Sequence, residues 1–478
     1  MQYANLYKRR TKIVCTMGPA SKSATTIEQF IKAGMNVARI NLSHGNLRGH
    51  SLSVNTVRKI SARLSRPVAI LIDIPGPKYR TGVIREGSVF LKKRAELVLT
   101  TRNIKGNDKV IPVNIATFNQ DVQVGSKLLV DDGAIQLKVL NVSETEVRCK
   151  IVVGGLLLQG RGIVIPGVRT SAPFVTEALK NYINFAIDQK PDYLALSFVN
   201  SPVDIEQTRV ILQQRNAEIP IIVKIEQKRA VSNFDKLLQV SDGIMVARGD
   251  LGVDIPLREV PMVQKEIIKK CNRAGKPVIT ATQMLESMVT SARPTRAEVT
   301  DVANAIFDGT DAIMLSAETS IGKYPVQSIR MMDQIAKEAE GHLPYENILI
   351  ERSAWIEPQT DELIAYNACY NSNKLRAVAI VAFTESGSTA RRVSKYRPQA
   401  PIIAITGNKT VCGKLQLFWG VQACPIGASS SVNELFSTAA KLTKDLGLAK
   451  TGDLIVITGG IPLGVTGTTN LLKVERVY

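Results

Sequence analysis

Eight short apolar runs, each of strand length and each closed by polar residues or glycine, constrain this chain more than any other feature. They fall at residues 12–17, 35–42, 68–74, 193–199, 220–226, 243–248, 277–283 and 312–318. Helix-like segments lie between them, at 25–33, 54–64, 175–187, 202–215, 234–240 and 263–272. A strand buried on both faces reads as a continuous apolar run, and strands alternating with helices build parallel sheet. Eight such units predict a (β/α)8 TIM barrel.

One gap breaks the rhythm. More than a hundred residues separate the third run from the fourth, far beyond a single crossover. Within it, β-rich runs at 95–101, 109–113, 126–130, 135–142 and 147–153 are punctuated by turns such as Asp131-Asp132-Gly133. This predicts a small inserted β-barrel-like lid at 83–163, on the face where barrel enzymes keep their chemistry. The barrel then occupies 1–82 and 164–341. Residues 342–360, with Pro344 and Pro358, read as a linker. Strands at 377–383, 401–406, 422–426 and 453–458, alternating with helices at 389–396 and 432–446, predict a doubly wound C-terminal α/β domain over 342–478.

Composition narrows the class. A chain of 478 residues with 45% hydrophobic and 22% charged residues has enough apolar surface for several cores. No apolar run approaches the roughly 20 residues of a membrane span, and no secretory h-region follows the basic N-terminus, so the expectation is a cytoplasmic protein with no membrane partner. Six widely spaced cysteines, with no CxxC, read as reduced thiols rather than a disulfide or metal framework. The net charge of +19 suits anionic partners. Aromatic residues are only 5%, and no RNP motif or zinc finger occurs, so no specific nucleic acid is expected. A salt-sensitive polyanion-binding protein is the non-enzymatic alternative.

Charged and polar residues gather where a barrel carries its site, at the C-terminal ends of strands. The second run leads through Arg39 to Asn41, Ser43 and His44. The third ends in Asp73 and reaches Lys78 and Arg80. The fifth ends in Lys224-Ile225-Glu226, the sixth in Arg248-Gly249-Asp250, the seventh in Ala281-Thr282-Gln283, and the eighth in Ser316-Ala317-Glu318. Buried charges at so many strand ends are expensive unless paired or bound to something. Lys224 and Glu226, two apart, point to the same side of a strand and form either a structural ion pair or part of a site. Glu226 and Asp250, from adjacent strands, can hold a hard cation such as Mg²⁺ while leaving room for substrate oxygens. A divalent ion beside Lys224 and Arg39 is suited to a phosphoryl group and an enolate oxyanion. Asn41 and Ser43 equally suit turn capping, and His44 a local hydrogen bond in the turn at Gly45.

These blocks resemble the pyruvate kinase family. The resemblance rests on residues 11–20, 36–45, 241–256, 272–288, 293–305 and 313–319, in order, and extends over essentially the whole chain. It implies transfer of the phosphoryl group of phosphoenolpyruvate to ADP, giving ATP and an enolate protonated to pyruvate. Arg39 would bind the phosphoryl group and Lys224 would stabilise charge during transfer. Glu226 and Asp250 would ligate Mg²⁺, with Mn²⁺ as a substitute. Gly249, Asp250 and Thr282 would contact substrate, Thr282 near the face where the enolate is protonated. Asn41, Ser43, His44, Arg80 and Arg161 would lie along the nucleotide. A homotetramer is implied on the same ground. Another Mg²⁺-dependent phosphoenolpyruvate or pyruvate barrel, such as a carbon–carbon lyase, is the competing enzyme.

Three departures carry their own expectations. Many members have Glu where this chain has Lys78, and hold K⁺ with oxygens matching Asn41, Ser43, Asp73 and a Thr that here is Ile74. The Lys78 ammonium is expected in that monovalent-cation place, making K⁺ unnecessary; the alternative is a solvent-facing loop lysine. Arg161 replaces a common Lys, and Asn200 stands where Arg is usual. In the last domain, Thr384-Glu385-Ser386-Gly387-Ser388-Thr389 joins a strand to a helix and resembles the family's sugar-phosphate effector loop, completed by residues 459–469. A sugar phosphate or a nucleotide is the implied effector, and a plain N-cap turn the alternative.

Overall fold

The computed structural model describes residues 9–168, 170–427, 431–462, 465 and 467–478. All eight expected barrel strands form: β1 (Lys12–Thr16), β2 (Val37–Asn41), β3 (Ala69–Ile74), β4 (Tyr193–Leu196), β5 (Ile221–Ile225), β6 (Gly243–Ala247), β7 (Val278–Ala281) and β8 (Ala312–Leu315). They pair in parallel, in chain order, and β8 closes onto β1. All but β3, which ends with its run at Ile74, stop a residue or more before the apolar run does, because the last residues turn out of the ladder into the loops that carry the site.

Strand alternation sorts the side chains. One parity packs outward against the helices, as with Ile13, Ile40, Ile72, Val223 and Val246. The other fills the cylinder with Val14, Val37, Leu71, Ala195, Ile222, Met245, Ile279 and Met314. Continuing this inward parity toward the C-terminal ends reaches Thr16, Arg39, Asp73, Ser197, Lys224 and Glu226. The apolar plug below and the charged layer above therefore come from one register.

Within the insertion, seven strands pair in the order 79–80, 162–164, 127–130, 135–142, 146–153, 96–100, 110–112. A bridge between Thr81 and Val113 joins the two ends and curls the sheet on itself. A separate ribbon pairs Ser88–Leu91 with Gly155–Leu158. The C-terminal domain has strands β9 (Ala379–Phe383), β10 (Ile402–Thr406), β11 (Val421–Pro425), β12 (Leu454–Gly460) and β13 (Thr469–Arg476), in the order 11-10-9-12-13. The first four are parallel; β13, which the apolar pattern does not reveal, is antiparallel.

The linker expectation is corrected. Residues 342–360 contain a helix, Tyr345–Ser353, and the next helix, Thr360–Lys374, begins at their end. Pro344 precedes the first turn, where a missing N–H costs nothing. Only Leu349 and Arg352 of that helix are buried, so its periodicity is faint. The C-terminal domain closes the lower end of the barrel: Leu417 packs with the interior plug, and Arg397 Nη1 donates to Asp311 Oδ1 at 2.6 Å. Among the described residues no helix is long and apolar enough to cross a membrane.

Truncating Leu71, fully buried in the plug, should open a cavity and cost about 2–5 kcal/mol. Leu156→Ala on the lid ribbon, where the side chain is 57% exposed, should cost less than about 0.5 kcal/mol. Urea unfolding monitored for the two variants checks the difference.

Candidate active site

Asp73 is the anchor of the upper rim. Its carboxylate is 1% exposed and accepts from Arg39 Nε at 2.8 Å, with Arg39 Nη2 at 2.7 Å on the same oxygen. Its other oxygen faces Ser197 Oγ and Lys224 Nζ, each at 3.3 Å. Burial alone would raise the Asp73 pKa, but Lys224 and Arg39 outweigh it and hold the group below its ordinary value. Arg39 Nη1 also donates to Thr16 Oγ1 at 2.9 Å. Lys224 donates to Ser197 Oγ at 2.8 Å and lies 2.8 Å from Glu226 Oε1. Burial disfavours its ammonium, yet Asp73 and Glu226 hold its pKa above the usual lysine value. Lys224 and Glu226 thus form the ion pair that their spacing allows, and they form it at the rim.

Glu226 and Asp250 provide the candidate cation site. Glu226 Oε2 accepts the Phe198 N–H at 2.7 Å. Its buried Oε1, although close to Lys224, takes no hydrogen bond of good geometry, leaving a lone pair uncommitted. Burial and the neighbouring Asp250 push the Glu226 pKa up, while Lys224 opposes them. That is the electrostatic state of a carboxylate short of positive charge, and it fits a hard divalent cation. Among the described residues no third His, Cys, Asp or Glu completes a protein-only cage. A cation held here would take its remaining oxygens from ligand and water.

Lys78 turns inward, which excludes the solvent-facing alternative. Its ammonium donates to Asp250 Oδ1 at 2.5 Å and lies 5.2 Å from the centre of the Phe198 ring. Gly162 makes room for the stem, since a Cβ there would sit 2.5 Å from Lys78 Cε. Among the described residues no hydrogen bond joins Lys78 to Asn41, Ser43 or Asp73. Asp73 is already committed to Arg39, Lys224 and Ser197, and Asn41 Oδ1 accepts the Ser43 N–H at 3.1 Å. The capping alternative for Asn41 is therefore realised.

Thr282 and Gln283 follow β7 with φ of +68° and +55°, a left-handed conformation costing about 1–3 kcal/mol per residue. The Thr282 hydroxyl accepts the Gly249 N–H at 2.8 Å, which brings the ends of β6 and β7 together beside Asp250. On the lid side, Arg80 Nη1 donates to Gly160 O at 3.0 Å, and Arg161 lies 3.3 Å from Asp131. Burial lowers the His44 pKa, and Arg80, Arg39 and Arg161 press it further the same way, so cationic groups converge on that mouth. The His44 carbonyl lies 2.8 Å from His50 Nε2. Asn200 does not join them. It is 5% exposed and donates to Phe198 O at 3.0 Å and Gln227 Oε1 at 2.6 Å, bracing the loop after β4.

Thr16, Ser197 and Phe198 were not singled out by residue type, yet they orient Arg39, Lys224 and Glu226. The inward parity of β1 and β4 is the signal that finds the first two. In the C-terminal domain, Gly387 (φ +86°) starts the helix Ser388–Lys395. Ser386 Oγ donates to Ser388 Oγ at 3.2 Å, and Thr389 Oγ1 lies 2.7 Å from Thr469 Oγ1. Ser386, Ser388, Thr389 and Thr469, with Thr384, Thr406 and Thr468, line an open cleft. Of the 459–469 loop, residues 463, 464 and 466 lie outside the described residues.

The chain matches two family models, "Pyruvate kinase, barrel domain" over residues 8–329 and "Pyruvate kinase, alpha/beta domain" over residues 362–475. It is also 45% identical to the curated pyruvate kinases of Staphylococcus aureus strains MRSA252, USA300 and NCTC 8325 / PS 47. Those alignments run over 471 residues, 98% of this chain and 80% of each relative. Two consecutive domain matches and near-complete alignment agree with the barrel, lid and α/β domain described above: this chain belongs to the pyruvate kinase family.

Proposed function

We propose that this chain transfers the phosphoryl group of phosphoenolpyruvate to ADP, giving ATP and pyruvate, the final step of glycolysis. The observation that carries the reading is the convergence of Arg39, Lys224, Glu226 and Asp250 on one rim, in a chain of which 98% aligns with named pyruvate kinases. Membership implies a divalent cation requirement. Mg²⁺, with Mn²⁺ as substitute, suits Glu226 and Asp250, and when bound it offsets the mutual repulsion of two anionic reactants. The protein's own part is positioning and fixed charge.

Arg39 is clamped by Asp73 and Thr16, so its guanidinium meets the phosphoryl group without reorganising. Lys224, locked between Asp73, Ser197 and Glu226, faces the charge that develops on the transferred group and on the enolate oxygen. Such preorganised donors in a water-poor site are the largest single contribution in many enzymes. Gly249, Asp250 and the Thr282 hydroxyl lie on the substrate side, Thr282 at the face where the enolate takes its proton. Asn41, Ser43, His44, Arg80 and Arg161 line the side toward the lid, where ADP enters. A carbon–carbon lyase would use the same carboxylate pair and Arg39, but it gives the lid cations no task, and the named relatives do not favour it.

The Lys78 ammonium supplies a permanent positive charge beside Asp250. On this reading it replaces the monovalent cation, and K⁺ is not required. The cleft of Thr384, Ser386, Gly387, Ser388 and Thr389 is the proposed effector site for a sugar phosphate or a nucleotide. On family grounds the assembly is a homotetramer in the cytoplasm.

Two experiments test the reading. Lys224→Met should lower ADP phosphorylation by at least ~10²–10³-fold in a coupled pyruvate assay. It should also lower the melting temperature, because Asp73 and Glu226 lose a buried partner. In tetramethylammonium buffer, added K⁺ should change the wild-type rate by less than about twofold, the factor equivalent to a few tenths of a kcal/mol; a strong K⁺ requirement contradicts the role given to Lys78.

A further inference from the structure

We propose that Arg248 is a positioning residue for the proton-transfer half of the reaction, acting through Thr282; this rests on the reading just given. Two consecutive non-glycine residues in the left-handed region are unusual, and a β-branched one is a genuine outlier. Something must hold that turn. Its carbonyls point toward Arg248, whose guanidinium is 9% exposed beneath the rim. Arg248 Nη2 donates to Thr282 O at 2.7 Å and to Gln283 O at 3.2 Å, and Nε adds Thr282 O at 3.2 Å. The opposite edge of the fork is fixed by Asp301, 2.7 Å from Nη1, on the helix Arg296–Phe307.

The same stretch holds Thr282 twice. The side chain of Arg248 takes its carbonyl, and the N–H of the next residue, Gly249, takes its hydroxyl at 2.8 Å. That hydroxyl donates to Ala281 O at 2.6 Å, so its direction is set from both sides. From the other flank, buried Glu318 accepts the Leu285 N–H at 3.1 Å and pins the end of the turn. A lysine at 248 keeps the charge but not the planar fork that spans two carbonyls and a carboxylate. The consequence is displacement of Thr282 with the phosphoryl-binding residues on β2, β3 and β5 left in place.

The test is a double-mutant cycle in the full chain, with Arg248→Lys and Thr282→Ala made singly and together. Steady-state kinetics are read beside exchange of the pyruvate methyl protons with D₂O, in which a C–H bond breaks and solvent deuterium replaces it. Arg248→Lys should lower kcat and the exchange rate at least about tenfold, the scale of a sub-ångström to ångström misplacement. The KM for phosphoenolpyruvate should change less than about threefold, because Arg39 and Lys224, which face the phosphoryl group, stay in place and only the Thr282 contact shifts. In the Thr282→Ala background the same change should cost less than about twofold, since residues acting as a unit are not additive. Asp301→Asn, which keeps Arg248 but weakens its anchor, should lower kcat in the same direction and covers the case in which Arg248→Lys does not fold. Equal losses in both backgrounds, or Asp301→Asn and Arg248→Lys at wild-type kcat, overturn the proposal. A wild-type chain that makes no pyruvate from phosphoenolpyruvate and ADP overturns the functional reading itself, a different result from either.

Discussion

The Asp73 carboxylate, buried at the top of the barrel between Arg39 and Lys224, is the constraint on which the site depends. Three cations (Arg39, Lys224, Lys78) face three carboxylates (Asp73, Glu226, Asp250) over the apolar plug. Burying any of them alone would be prohibitive, and a buried ion-pair network is in general a weak source of stability beside an apolar core of the same volume. A lattice already neutral and already immobile presents donors to anionic reactants without waiting for side chains to move.

That lattice also explains why the fold and the site come from the same residues. β5 contributes Ile222 to the plug and Lys224 to the rim by one alternation, which carries on to Glu226 just past its end, and β3 does the same with Leu71 and Asp73. A change of one residue in register would send the strand-borne charges Arg39, Asp73 and Lys224 into the helix layer. Below the plug, Leu417 and the Arg397–Asp311 pair bring the C-terminal domain against the strand starts, so the domain carrying the proposed effector cleft bears on the same cylinder from its other end.

Much of this was legible in the residue order. Continuous apolar runs marked all eight barrel strands, and the excess of charge at their ends marked the rim. What remained hidden depends on distance through space. Arg248 followed an apolar run like its neighbours, but nothing local said that its side chain turns back toward Thr282, 34 positions on. The partner of Lys78 was hidden for the same reason: the loop after β3 meets Asp250 only once the barrel closes. The helix Tyr345–Ser353 escaped because two prolines flank a segment that buries little. β13 escaped because a sheet-edge strand with an exposed face carries weak hydrophobic alternation.

The central claim is that Glu226 and Asp250 share one divalent cation at this rim. Anomalous diffraction from crystals grown with Mn²⁺ and phosphoenolpyruvate tests it most directly. The account predicts a single strong peak bonded to an oxygen of each carboxylate, with Lys78 displaced from Asp250 or sharing it. A peak bonded to neither carboxylate, or bound cation with Glu226 still held only by Lys224 and Phe198, would contradict it.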